Sequence, residues 1–498
     1  MDPFPSPMDE FNRRLIQYVH PQNWKNPDPQ PVYDMVVIGG GTAGLVTAAG
    51  SAGVGAKVAL IEKSLLGGDC LNYGCVPSKA LLHAAKQAHA AKTSGMALNP
   101  SEFFTNAMNT LRKKRSEIAE HDSAQHFTDL SIDVFLGTAR FTGPREIEVA
   151  GKKLRFKKAC IASGARASLP PIPGLSETPH LTNETLFNLV DLPKNLTIIG
   201  GGPIGSEMAQ AFQRLGSQVT LLNAGPQILE REDSRAAALI DTVFRREGIA
   251  IHTGIKILSA SGNSDSQTVV FEAGGKQVLL QSDRILVAAG RTPNIEGLNL
   301  EVAEVQHTKH GVTVDDHLRT TNKKIFACGD VASVYKFTHL ADFQARIVIQ
   351  NALFFGRKKA SALRVPWVTY TEPEVAHVGV YPKDAEGKGI TLRRFSLDFS
   401  TVDRSKLEDE TEGFAEIIIG ENSDAILGAT IVHPRAGEMI SEITVAMHAG
   451  FGLGSLASVI HPYPTQAEIL RKLGDAYNRT RLTPTAKKIL GFLLKLNR

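Results

Sequence analysis

The chain has 498 residues, 42% hydrophobic, 21% charged and 6% aromatic, so a sizeable core can be buried and wholesale disorder is excluded. The 55 basic and 51 acidic side chains leave a net charge of +4, too small a surplus to signal nucleic acid, and none is expected as a partner. At roughly 100–200 residues per domain the length suggests three or four domains, and no apolar run approaches the ~20 residues of a membrane span.

Met1–Pro31 reads as a tail with Pro-rich ends around a short helical candidate, Met8–Val19, and lacks the pattern of a signal peptide. From Tyr33, short apolar β-rich runs alternate with Ala-rich helical stretches, the mark of a doubly wound α/β sheet. A first unit, Met35–Glu62, and a second, Leu196–Asn223, are alike enough to form an internal repeat. Between them Pro77–Asp122 is predicted helical, and Arg140–Val149 and Lys153–Ile161 are predicted strands. Near Ile325–Asp330 a strand ends in an acidic residue. After Pro366 the texture shifts to strands and then helices, a separate α+β domain reaching to Asn478. Thr485–Arg498 is a basic amphipathic helix candidate; packing on its own body or a partner subunit is expected, with peripheral contact to a membrane surface as the alternative.

Gly39, Gly41 and Gly44 fit the dinucleotide fingerprint: a tight turn, a close backbone approach to the pyrophosphate, and a helix packed on its strand. Glu62 ends the next strand, where a carboxylate can accept both ribose hydroxyls. Gly200, Gly202 and Gly205 repeat the design, but the same offset lands on Asn223. An acid there would repel a 2′-phosphate and Asn would not, and Arg231 and Arg235 follow, so the balance tips to NADPH with NADH also compatible. The other reading of Asn223 is a turn formed with Gly225 and Pro226. Two dinucleotide sites suggest a tightly held flavin and an exchanging nicotinamide.

Cys70 and Cys75 follow the first unit, with Gly74 easing the backbone between them and Pro77 suited to the first turn of a helix. A thiolate at that helix start would be stabilised, and a redox pair is the expected reading. No resident metal is expected, because His83 alone is thin support for a zinc site. Four cysteines in so long a chain form no stabilising framework, which points to a reducing, cytoplasmic setting; Cys160 and Cys328 lie in apolar runs and read as core residues.

The combination resembles the FAD-dependent pyridine nucleotide–disulfide oxidoreductases, the family of dihydrolipoamide dehydrogenase, glutathione reductase and mercuric reductase. Its anchors, spread between Tyr33 and Asn478, are the first Gly unit, Gly67-Gly68-Asp69-Cys70 with Cys75-Val76-Pro77-Ser78-Lys79, Ala162-Ser163-Gly164, Ala289-Gly290-Arg291-Thr292-Pro293-Asn294, and Cys328-Gly329-Asp330. The resemblance implies two Rossmann-like domains and a C-terminal α+β dimerisation domain in a homodimer. Its implied order is a tail (1–32), an FAD-binding domain (33–178, completed by 298–363), an NAD(P)-binding domain (179–297), a dimerisation domain (364–480) and a basic tail (481–498). It implies that Cys75 faces the flavin, Cys70 meets the substrate, Lys79 lies near the flavin and pairs with Glu207, and Asp330 holds the ribityl chain. Gly68, Ser163, Gly164, Gly290 and Arg291 belong to the motifs that line the cofactor, and the helix beginning near His339 aims its N-terminus at the flavin.

The departures bear on substrate. Disulfide-reducing members carry His-Pro-Thr with a following Glu as their acid–base; here Pro464-Thr465 and Glu468 align, and Tyr463 stands in the His position. With an ordinary pKa of ~10, tyrosine is a poor base at neutral pH. His461, two positions earlier, would share a face with Tyr463 in a strand. Mercuric reductase is similar in carrying Tyr there, and thiolates suit soft metals; its C-terminal cysteine pair is missing here, since the last cysteine is Cys328. The expected activity is an NAD(P)H-dependent reductase acting through Cys70–Cys75 on a small thiol-reactive acceptor, a metal ion or related electrophile. A small-disulfide reductase, a quinone or oxygen reductase, and a docked subunit of a larger assembly are the alternatives. By resemblance, Tyr463 and Glu468 complete the site of the partner subunit.

Overall fold

The computed structural model describes residues 4–387, 389 and 391–497. The chain forms two compact units: Met1–Ile228 with Phe244–Leu363, and Leu229–Val243 with Arg364–Arg498.

The larger unit holds both expected nucleotide-binding sheets. The first runs in the order Ile132–Leu136, Val58–Glu62, Tyr33–Ile38, Lys152–Ile161, Ile325–Ala327, with every pairing parallel. All five residues of Val58–Glu62 are buried, as a strand covered on both faces requires. Successive residues of Tyr33–Ile38 feed different cores: Met35 and Val37 join one cluster, Tyr33, Val36 and Ile38 the other. Cys160, on strand Lys152–Ile161, and Cys328, the residue after strand Ile325–Ala327, are fully buried with their sulfurs 3.5 Å apart. The second sheet, Ala250–His252, Gln218–Leu222, Asn195–Ile199, Arg284–Val287, is also parallel.

The structure refines two local expectations, a strand and a helical stretch, and corrects a third, the tail. Arg140–Val149 is a hairpin of Ala139–Gly143 and Glu146–Val149, broken where Pro144 cannot continue a ladder. Pro77–Asp122 is two long helices, Cys75–Thr93 and Pro100–Ile118, closed by a short 3-10 turn at Ala119–Asp122. Gly95, at φ +81°, ends the first, and Asn99 caps the second by accepting from Ser101 N. The segment read as a tail is packed: helix Glu10–Val19 buries Leu15 and Val19 in the sheet core, and Trp24 Nε1 donates to the Val134 carbonyl at 3.1 Å.

The smaller unit carries an antiparallel sheet ordered Pro366–Thr369, Glu374–Gly379, Ile426–His433, Phe414–Gly420, Leu392–Asp398. Helices Ala436–Ala449 and Glu468–Thr480 bury Ile440, Ile443, Ile469 and Leu473 against it, the expected α+β texture. Glu232 is buried here, accepting from Trp367 Nε1 at 2.9 Å and from the Tyr381 hydroxyl. The last helix, Pro484–Leu496, has no buried residue; its cations and apolar side chains are almost all exposed, so of the two expected coverings, its own body or a partner subunit, the first is not seen. Among the described residues no helix is long and apolar enough to cross a membrane.

Candidate active site

The two Gly units fold alike. Gly39 and Gly200 take φ +106° and +113°, and a Cβ at either would lie 2.3 Å or 2.5 Å from the facing Ala162 or Ala288 carbonyl oxygen. A Cβ at Gly44 or Gly205 would lie 1.7 Å or 1.8 Å from the carbonyl oxygen of Gly39 or Gly200, so each helix sits directly on its turn. Gly41 and Gly202, the N-caps of helices Thr42–Gly53 and Pro203–Leu215, make no side-chain cap; a Cβ at Gly41 would meet nothing nearer than 3.6 Å, and at Gly202 nothing within 4 Å. Both helix starts therefore offer unspent N–H groups to an anion, and the residues present fit dinucleotide pyrophosphates.

The repeat extends to the second strand. Glu62 Oε2 accepts from Gly40 N at 2.6 Å and its Oε1 from Ser64 N at 2.7 Å, while burial pushes its pKa up. Asn223 Oδ1 accepts from Gly201 N at 3.0 Å in the matching place. The Asn223 amide also donates to the carbonyls of Gly225 and Gln227 at 3.2 Å and 2.8 Å, so the turn reading of this residue holds as well.

The cysteine segment leans on the first cradle. Gly67 N donates to Gly40 O at 2.8 Å, and a Cβ at Gly68 would lie 2.6 Å from the Gly41 Cα. Cys70 lies in helix Gly68–Asn72, and Cys75 opens helix Cys75–Thr93. Both are free thiols, Cys70 half-buried and Cys75 exposed. A hydrogen bond from Cys70 is the main force drawing the Cys75 pKa down to about 6; Thr338 and the Lys79 ammonium add to it against the opposing effect of burial. The same contact, with burial, pushes the Cys70 thiol far up. Cys75 Sγ lies 3.4 Å from Thr338 Oγ1, the first residue of helix Thr338–Leu353. Lys79 Nζ donates to Glu207 Oε2 at 2.8 Å, so the expected pair is formed. A lowered Cys75 pKa beside a raised Cys70 pKa favours one thiolate and one thiol in the reduced pair. Alkylation of the reduced protein by iodoacetamide should accordingly rise about tenfold per pH unit below pH about 6 and level off above it. A single rise centred near pH 8.5 would contradict the assignment of Cys75 as the thiolate.

Distant motifs meet nearby. Strands Ala165–Ala167 and Arg291–Pro293 pair, Ser163 Oγ donates to Asn294 O at 2.6 Å, and Asn294 N donates to Gly164 O at 2.9 Å. Gly290, at φ +115°, leads into Arg291, whose Nη2 lies 3.2 Å from Asp69 Oδ1 and whose Nε lies 3.6 Å from Asp330 Oδ2. Burial disfavours the Arg291 charge, but Asp69 and then Asp330 outweigh it and raise its pKa. Burial raises the Asp330 carboxyl in turn, opposed by Arg291 and Lys336. His339 is exposed and stacks on Phe337 at 5.4 Å, next to Thr338, which reaches the thiol.

Asp69, Thr338 and Arg115 escaped the sequence reading. Asp69 stood in plain sight inside the cysteine motif. Arg115 is fully buried; it donates to Asn72 O at 2.8 Å, within the cysteine segment, and to Asn12 Oδ1 at 2.7 Å, on the N-terminal helix.

In the smaller unit Tyr463 is 72% exposed and donates to Asp403 Oδ2 at 3.3 Å. The Asp403 charge raises its pKa. His461 does not share its face, because the local chain is not a strand: the His461 side chain is 5% exposed. Its Nδ1 donates to the Val459 carbonyl at 3.0 Å and its Nε2 faces Glu442 Oε1 at 2.9 Å. Glu468 begins helix Glu468–Thr480 and pairs with Arg471 at 2.8 Å.

Two nucleotide cradles serving one dithiol define a two-cofactor redox protein. Residues 33–345 match the family described as pyridine nucleotide-disulphide oxidoreductase, and residues 365–473 match its dimerisation domain. The chain belongs to this family of flavoprotein enzymes, which use FAD, NAD(P)H and a redox-active disulfide, and its dimerisation domain supports a homodimer. It is 32% identical over 444 residues to a mercuric reductase of Staphylococcus aureus, covering 88% of this chain and 81% of that protein. It is 34% identical over 455 residues to a dihydrolipoyl dehydrogenase of Thermus scotoductus, covering 90% and 98%. Among solved structures, the HOCl-induced flavoprotein disulfide reductase RclA from Escherichia coli superposes with a TM-score of 0.80 at 30% identity, covering 89% of this chain and 99% of that one.

Proposed function

We propose that this enzyme passes electrons from NAD(P)H through Cys70–Cys75 to a thiol-reactive acceptor, a soft metal ion or a related electrophile. The observation that carries this reading is the pairing of Tyr463 with Asp403. The Asp403 charge disfavours the phenolate of Tyr463, and both ring nitrogens of His461 already have partners in Val459 and Glu442, which argues against either residue moving protons on and off sulfur. An acceptor that bonds directly to thiolate needs no such relay.

FAD, when bound, supplies the two-electron link between nicotinamide and disulfide. Residues 33–178 and 298–363 would hold it. Within them Gly39, Gly41 and Gly44 would take the pyrophosphate and Glu62 the ribose. Gly68, Ser163, Gly164, Gly290, Arg291 and Asp330 would line the rest, with the helix start at Thr338–His339 beside the ring. Residues 179–297 would hold the nicotinamide nucleotide on Gly200, Gly202 and Gly205. Asn223, uncharged where Glu62 is acidic, supports NADPH. Lys79, paired with Glu207, keeps a cation beside Cys75 and favours its thiolate. Cys70, with the higher pKa, would leave the cleaved disulfide as the thiol and meet the acceptor. Tyr463 and Glu468 of the 364–480 dimerisation domain would complete the site of the partner subunit.

Anaerobic titration with NADPH, then NADH, tests the first half: a long-wavelength thiolate–flavin band should grow over two electrons, and bleaching of the flavin without it would show an idle pair. A panel of acceptors tests the second. NADPH-dependent turnover of Hg(II) or Cu(II) well above that of lipoamide and glutathione disulfide is expected; the reverse order would establish a disulfide reductase.

A further inference from the structure

We propose that the C-terminal helix, Pro484–Leu496, is a surface anchor that lays its apolar side into an anionic lipid membrane. This is independent of the electron acceptor and of the roles given to the cysteines.

The helix is well specified: Thr483 Oγ1 accepts from Ala486 N at 3.1 Å, and Pro484 stands in the first turn. Its 13 residues span about 20 Å at 1.5 Å each, too short for a ~30 Å hydrocarbon core. At about 100° per residue Lys487, Lys488 and Lys495 share one side, with Gly491 between them. Ile489, Leu490, Phe492, Leu493, Leu494 and Leu496 fill the remainder, and each is 47–66% exposed. A wide apolar arc flanked by lysines is the pattern of a helix lying in a membrane interface.

Charge selects the occupant. No acidic side chain follows Asp475, whereas Arg479, Arg481, Lys487, Lys488, Lys495 and Arg498 do. With those six cations set aside, the +4 of the chain becomes −2, so the positive surplus resides in this segment. A second copy of the helix laid against the apolar face would bring lysine rims together with no acidic side chain on the helix to offset them. Anionic headgroups match both the cations and the apolar strip.

The test is co-sedimentation of the full-length FAD-loaded enzyme with phosphatidylcholine vesicles, with and without about a third phosphatidylglycerol. Binding at least about tenfold stronger to the anionic vesicles is expected, weakening in high salt. Leu490→Glu with Leu493→Glu, and separately Lys487→Glu with Lys488→Glu, should abolish it while NADPH oxidation and the sedimenting mass stay unchanged. Three results would overturn the proposal: no vesicle binding by the unaltered enzyme, binding that survives Leu490→Glu with Leu493→Glu, or a larger oligomer without vesicle binding that the same pair dissociates. The last would assign the face to a second copy.

Discussion

Cys70→Ser is expected to lower NADPH-driven turnover of a thiol-reactive acceptor on the order of a thousandfold or more, because the sulfur proposed to meet the acceptor is gone. Cys75 should nevertheless keep its thiolate. Its low pKa rests first on a hydrogen bond from position 70, and a serine hydroxyl can still donate. Cys70→Ala removes that donor, so the Cys75 pKa should climb from about 6 towards the ordinary thiol value, with only Thr338 and Lys79 left to hold it down. The sign follows directly: at pH 7 the serine variant retains a mostly ionised Cys75, and the alanine variant a mostly protonated one. Thiolate absorbance against pH, measured beside acceptor turnover, separates the two roles. Unchanged turnover in Cys70→Ser would sink the proposed electron path, and identical titrations of the two variants would sink the account of the thiolate.

The second large effect is structural. In Arg115→Leu two buried oxygens, the Asn72 carbonyl and Asn12 Oδ1, lose their donor, and each orphaned group costs about 1–3 kcal/mol. A loss of about 3 kcal/mol is therefore expected, seen as a lower melting temperature of the FAD-loaded enzyme. Release of the N-terminal helix should accompany it, since Asn12 is its buried polar tie and Arg112–Asp9 at 2.6 Å its adjoining ion pair. Limited proteolysis within residues 10–32 reports that release. Arg115→Lys, able to reach one of the two oxygens, should recover part of the loss. A leucine variant that melts with the parent and resists protease would show that the network contributes nothing.

What could be read in the sequence was what a short stretch of chain decides for itself. Gly44 and Gly205 are demanded by the carbonyls of Gly39 and Gly200 five residues earlier, and Gly39 and Gly200 by their own positive φ, so the fingerprint announces itself twice, although the Ala162 and Ala288 carbonyls that also crowd Gly39 and Gly200 lie far along the chain. The cysteine motif is equally local. What escaped depends on segments far apart. Thr338 meets Cys75, and Arg291 meets Asp69, only after the whole sheet has assembled. The N-terminal segment reads as a tail because Pro-rich ends surround its one helical candidate; its anchoring lies in Leu15, Val19 and a shared guanidinium, which no periodicity displays. His461 misled for a related reason. A spacing of two places side chains on one face only within a strand, and here the ring turns inward to Glu442.

The two thiols in the sheet core turn the protein into its own opening gauge. In the reduced, flavin-free protein Cys70 and Cys75 are open to a small alkylating agent, whereas Cys160 and Cys328 are 0% exposed and can react only when the central strands part. Labelling stoichiometry counted by mass should therefore stop at two adducts under native conditions and proceed to four in denaturant. The rate of the later pair, followed at rising reagent concentration, would measure how often the sheet opens, from signals built into the unmodified chain.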